Sequence, residues 1–147
     1  MKLIISIVLL VRLLFTPVFA QTVANIPCGP PGQSANQAKI KYIIQPGVTQ
    51  YRYQVQVNLN NKGFVPVMNS TRAVDSMALS DNNRYLGLIL IRGPWYVLYV
   101  NDLQLNRRRK LKTFDHPLKT IYFSDDSRCI YYEDKDGQRN LVKLPSM

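Results

Sequence analysis

One histidine and two cysteines are all that a 147-residue chain offers for imidazole or thiol chemistry. A zinc site needs three or four such ligands, and Cys28 and Cys129 lie far apart along the chain. His116, in "FDHPLKT", has Asp115 beside it. Neighbours on a strand point to opposite faces, so this pair reads as structural rather than as a base with its orienting carboxylate. Acidic residues are also scarce, 9 against 19 basic ones. Asp125-Asp126 and Glu133-Asp134-Asp136 are scattered around turn signals, where solvated turns explain them better than a cation site does. No Gly-rich phosphate loop, nucleophile elbow or zinc signature occurs. The chain therefore reads as no enzyme, with no metal and no cofactor.

Long apolar runs are missing after residue 20. Before it, "MKLIISIVLLVRLLFTPVFA" has a positive start at Lys2, an apolar run and the small residues of a cleavage site at Val18 and Ala20. Arg12 interrupts the run, and a central Arg costs a membrane span roughly 2.5 to 3.5 kcal/mol. Residues 1–20 are accordingly expected to be a cleaved signal peptide, and the protein to be secreted or periplasmic. "NIPC" puts Pro27 where lipid attachment at Cys28 would need a small residue. Without Lys2 and Arg12 the remainder keeps 17 basic residues against 9 acidic, a net charge of +8. Such a surface attracts polyanions, although solubility alone also accounts for it. In an oxidising compartment the two cysteines can only pair with each other within one chain. Closing a loop of about 100 residues is worth about 4.7 kcal/mol in the chain-entropy account.

Helical three-four spacing with start and stop signals is absent from residue 21 onward. Residues 21–37, rich in Gly, Pro, Ser, Asn and Gln, read as an extended arm. From residue 38 the chain reads as strands. "TQYRYQVQVNLN" places Tyr51, Tyr53, Val55, Val57 and Leu59 on one face and Gln50, Arg52, Gln54, Gln56 and Asn58 on the other. Asn60 to Gly63 then turn the chain into "FVPVM", giving a hairpin over 38–68 whose Pro66 marks an edge strand. Tyr85 to Ile91 and Trp95 to Val100 are apolar on both faces, as for strands enclosed on both sides, with Arg92-Gly93-Pro94 between them.

The chain also repeats itself. A shift of 44 residues lays Ser80, Asp81, Arg84 and Gly93 on Ser124, Asp125, Arg128 and Gly137. Each copy, 74–103 and 118–144, runs as an apolar strand ending in Ser-Asp, a polar turn, an apolar strand, a Gly turn and a third apolar strand. Periods of about 40 to 45 residues with several strands per unit are those of propeller blades. "LKTIYFSDDSRCIYYEDKDGQRNLVKL" resembles the WD-like propeller repeats of TolB-type periplasmic proteins and of prolyl oligopeptidase propeller domains. Phe123, Ser124, Asp126, Arg128, Ile130 and the turn Asp136-Gly137 carry the match. In the first copy Leu79, Ser80, Asn82, Arg84, Leu86, Leu98, Tyr99, Val100 and Asp102 carry it. Neither copy has the family's Pro after Ser, and Asn83 and Ser127 replace the Gly of its Asp-Gly turn. The resemblance covers residues 74–144 and implies a fold, not an activity. A closed ring needs at least four blades, about 170 residues. An all-β incomplete propeller or small open β domain is therefore expected, with a degenerate third unit over 38–68; closure of a ring between several chains is the alternative.

The strongest functional candidate is "NRRRKLK". Arg107, Arg108, Arg109, Lys110 and Lys112 lie between the two repeats and are expected to project from a connecting loop, where they could hold phosphate or sulfate groups. Solvated charges that guard a strand edge are the plainer reading. Two functions from different classes fit the sequence: a non-catalytic protein-binding or assembly module, including self-association, or a polyanion-binding protein acting through 107–112. Asn69-Ser70-Thr71 is a glycosylation sequon in a eukaryotic host.

Overall fold

The computed structural model describes residues 28–32, 37–43 and 52–146. The expected signal peptide and most of the arm lie outside them, as do Gln50 and Tyr51 of the alternating stretch. Ten strands and no helix occur among the described residues. They form three antiparallel meanders, each strand bonded to the next in sequence.

The first sheet holds β1 (Gln37–Ile43), β2 (Arg52–Asn58) and β3 (Phe64–Ser70). Alternation in β2 sends Val55 and Val57 into a core while Gln54 and Gln56 face away. Pro66 sits in β3, an edge strand as its missing N–H requires, and the ladder slips nearby, between Val55 and Gln56. On the far face Gln56 Nε2 donates to Gln54 Oε1 at 2.8 Å, and Lys39 Nζ stands 3.7 Å from the centre of the Phe64 ring. A face so furnished suits the end of a stack, since it needs no neighbour to cover it.

The middle sheet holds β4 (Val74–Leu79), β5 (Tyr85–Arg92), β6 (Trp95–Asp102) and β7 (Arg107–Phe114). Both faces of β5 are enclosed, as its continuous apolar run predicts. Leu86 and Leu88 pack with Val55, Val57 and Leu79 against the first sheet. Ile89 joins Leu98, Val100 and Phe114 in a second core against the third sheet. Gly87 is the point of closest approach: a Cβ there would lie 3.2 Å from Ile130 Cδ1 and 3.4 Å from Phe123 Cε2.

The third sheet holds β8 (Thr120–Phe123), β9 (Cys129–Glu133) and β10 (Arg139–Lys143). Ile121, Phe123, Ile130 and Tyr132 face the middle sheet. The opposite face carries Tyr122 and Tyr131, stacked 5.5 Å apart, and the exposed Leu141. The first strands of the three sheets, β1, β4 and β8, lie side by side with β4 in the centre, as blades around an axis.

The sequence repeat is a repeat of hydrogen bonds. The Ser80 hydroxyl donates to Asn82 Oδ1 at 2.6 Å and accepts from Tyr85 N at 2.9 Å. The Ser124 hydroxyl donates to Asp126 Oδ1 at 2.6 Å and accepts from Cys129 N at 3.1 Å. Both serines are fully buried. Asn83 (φ 61°) and Ser127 (φ 56°) take the left-handed conformation that the missing glycine would have taken. Ser-Asp is thus a turn device in which side chains satisfy backbone groups as β4 gives way to β5 and β8 to β9.

The described end of the arm is fastened to the second of these turns. Cys28 is disulfide-bonded to Cys129, 101 residues away, with Cα atoms 5.9 Å apart. Gly29 N donates to Asp126 Oδ2 at 2.9 Å, Asp125 N to Pro30 O at 2.8 Å, and Gly32 N to Phe123 O at 2.8 Å. The Tyr131 hydroxyl donates to Gly29 O at 2.9 Å. A Cβ on Gly29 would stand 1.8 Å from Asp125 Oδ1, and one on Gly32 2.7 Å from Asp81 Oδ2, so the arm crosses the aspartates of both turns at backbone distance.

Candidate functional site

The residues 107–112 form no loop. They are most of β7, the outermost strand of the middle sheet, with Arg107 opposite Asp102 and Lys112 opposite Leu98. The run lacks apolar alternation because an outermost strand buries little; Leu111 is half-buried, Phe114 buried and its other residues exposed. A turn starts it: Asp102 Oδ1 accepts from Gln104 N and Leu105 N at 2.9 and 3.0 Å, and Asn106 adopts φ 50°. Asp102 Oδ2 is held in turn by Arg84, whose Nε and Nη2 lie 2.9 and 2.8 Å away. Burial raises the Asp102 pKa, but these bonds outweigh it and the group is held below the ordinary carboxylate range.

Strand geometry divides the five cations. Arg108 and Lys110, opposite Asn101 and Tyr99, face the side of the first sheet. Arg108 Nε donates to Asn101 Oδ1 at 2.8 Å and its guanidinium also contacts Met68 Sδ. Arg109 lies opposite Val100, whose side chain belongs to the core against the third sheet. Past a slip in the ladder at Leu98/Tyr99, Lys112 reaches the third sheet and donates to the Tyr132 hydroxyl at 2.6 Å. Among the described residues none of the five makes an ion pair.

Two cations far away in sequence join Arg108 and Lys110. Arg72 stands between β3 and β4, where the Ser70 hydroxyl accepts from Arg72 N at 3.0 Å and donates to Arg72 O at 2.9 Å. Arg92, the last residue of β5, donates from Nη1 to the Tyr99 hydroxyl at 3.1 Å. Arg72 and Arg92 line two adjoining depressions of about 370 and 570 Å³. Tyr99 and Arg108 line the first; Trp95, Val97 and Lys110 line the second. No acidic residue lines either. The groove exists because the first sheet has three strands and the middle sheet four, so β3 leaves the outer part of the β6–β7 face bare. Sequence reading misses Arg72, Arg92, Trp95 and Tyr99, because only their place on this face joins them. "RGPW" signals a turn and nothing more.

The structure corrects one expectation about His116. Asp115 and His116 follow the end of β7 in a bend, not on a strand, and His116 Nδ1 lies 2.6 Å from Asp115 Oδ1. The hydrogen bond from His116 lowers the Asp115 pKa. Among the described residues no Ser, Thr or Cys side chain bonds to His116, and no group of three His, Cys, Asp or Glu is placed to hold a metal ion.

No family model and no curated protein matches the chain. Solved structures do. Over 74% of its length the chain superposes on the β-propeller domain of the Trilobed protease from Pyrococcus furiosus, with a TM-score of 0.53 at 13% identity. It spans 34% of that domain. An acylaminoacyl peptidase (13% identity, 74% of this chain and 18% of that one) and the Swd1 propeller domain of Myceliophteria thermophila (8% identity, 72% and 38%) superpose with TM-scores of 0.47 and 0.44. The three meanders, the shared Ser-turns and the side-by-side first strands agree with the first of these likenesses: the described chain has the β-propeller fold, as three consecutive blade-like sheets that do not close a ring.

Proposed function

We propose that the protein is an exported, non-catalytic binding module that takes an anionic partner along β7. One observation carries this reading: five exposed cations follow one another on an outermost strand, and among the described residues none is neutralised by an ion pair. Structural cations in this protein are treated differently, since Arg84, Arg128 and Arg139 each have a carboxylate within 3.4 Å. Arg side chains favour sulfate, phosphate and carboxylate because two N–H groups can meet two oxygens at once. The test is retention on immobilised heparin under a salt gradient. The native chain should elute late, and the triple variant Arg107→Ser, Arg108→Ser, Arg109→Ser early. Unchanged elution of the triple variant rejects the reading.

A second reading, a protein partner or another copy of the chain, rests on the third sheet. Its outer face presents the stacked Tyr122 and Tyr131 and the exposed Leu141 beside the Arg139–Glu133 ion pair, a more aromatic face than that of the first sheet. Such a face favours association that salt weakens little. Light scattering of the oxidised chain distinguishes a single-chain mass from an assembly, and Leu141→Lys should dissociate any assembly built on this face.

A further inference from the structure

We infer that the anionic partner is an acidic polysaccharide seated in the groove of Arg72, Arg92, Arg108 and Lys110, with one sugar ring against Trp95; this rests on the anionic-partner reading above. The groove is lined by cations from three separate places on the chain and by no acid. Its walls also hold Leu90, Val97, the two aromatic rings and the neutral polar residues Asn69, Ser70, Thr71 and Thr113. Trp95 is half exposed, at 50%, where an apolar ring face is costly to leave in water. A pyranose ring offers a matching apolar face of C–H groups with its hydroxyls around the rim, and its carboxylates or sulfates project sideways toward the guanidinium groups. Single-stranded nucleic acid fits less well. It needs several free stacking platforms in succession, but the Tyr99 ring already has the Arg108 guanidinium over it at 5.7 Å and its hydroxyl bonded to Arg92.

Trp95 is the only tryptophan in the chain, so its fluorescence reports the surroundings of this one ring, which borders the groove on one side and a depression beside Lys112 and His116 on the other; the paired variants below tell the two apart. Heparin and polygalacturonate should each shift or quench that emission, salt should reverse the effect, and neutral dextran should have none. Arg72→Ser with Arg92→Ser should weaken heparin binding at least about tenfold, as two lost charge-assisted contacts imply. Lys62→Ser with Lys135→Ser removes the same charge from two exposed turns that line neither depression and should weaken it no more than about threefold. Retention on heparin with silent Trp95 emission, or equal effects of the two double variants, overturns the groove and leaves the anionic-partner reading standing. Absence of retention removes both. An oligothymidylate that binds as tightly as heparin at equal salt overturns the polysaccharide in favour of nucleic acid.

Discussion

The turns at Ser80 and Ser124 share a sequence and a hydrogen-bond plan, yet they serve the protein differently. At Ser80 the capping residue is Asn82, a neutral amide, and the nearby Arg84 pairs with Asp102 of another strand. At Ser124 it is Asp126, whose carboxylate takes the Ser124 hydroxyl, Arg128 N, Arg128 Nε and Gly29 N together. One turn joins two strands. The other joins two strands and also anchors the arm. An amide oxygen suffices for the first task, whereas the second needs an acceptor with two oxygens and a full charge.

Removing the anchor should have the largest effect. Cys28→Ser with Cys129→Ser is expected to lower unfolding stability by about 4 kcal/mol, since it frees a loop of 101 residues. Denaturant midpoints for the oxidised native chain and the double variant measure it. Next come the serines. Ser124→Ala strips Arg128 N and Cys129 N of an acceptor and Ser80→Ala strips Tyr85 N, and each should cost about 2 kcal/mol. A much smaller loss at one of them would mean that the shared bonding plan does not carry equal weight in the two turns.

Smaller effects sharpen the comparison. Ser127 combines a left-handed backbone with a buried hydroxyl that has no hydrogen-bond partner among the described residues, so Ser127→Gly should raise stability by about 1 kcal/mol. Asn83→Gly should change it by less than about 0.5 kcal/mol, because asparagine tolerates that conformation. Acid should also separate the turns. Burial raises the Asp126 pKa, but the bonds from Ser124, Arg128 and Gly29 outweigh it and depress it strongly. A group depressed below its unfolded value, about 3.9, stabilises the fold above that pH and loses the contribution as pH falls further. Between about pH 5 and pH 2 the native chain should therefore lose more stability than Asp126→Asn does. Among the described residues the remaining acid sensitivity of that variant belongs to Asp102 and Asp115, which are also depressed.

Much of this fold is legible because burial leaves a mark on sequence. Val55 and Val57 alternate with glutamines, β5 is apolar on both faces, and the Ser-turns recur at a fixed spacing. β7 leaves no such mark. Apart from Phe114 at its end it buries little, it is held mainly by its backbone ladder to β6, and a run of cations looks the same in a loop as on an outermost strand. The groove is hidden for another reason: Arg72, Arg92 and Arg108 are local features of three unrelated stretches, and only the unequal widths of two neighbouring sheets bring them together. His116 is misplaced by sequence reasoning because no residue before Pro117 marks the end of the strand at Phe114.

The bond from Cys28 to Cys129 also orders events in time. Synthesis proceeds from the N-terminus, so two complete sheets precede the appearance of Cys129. Throughout that interval Cys28 has no correct partner. With only two cysteines in the chain, no wrong intramolecular bridge exists for it to make. Any premature disulfide to another protein thiol must therefore join two separate molecules, and a crowded production run should betray itself by covalent dimers that a thiol reagent dissolves.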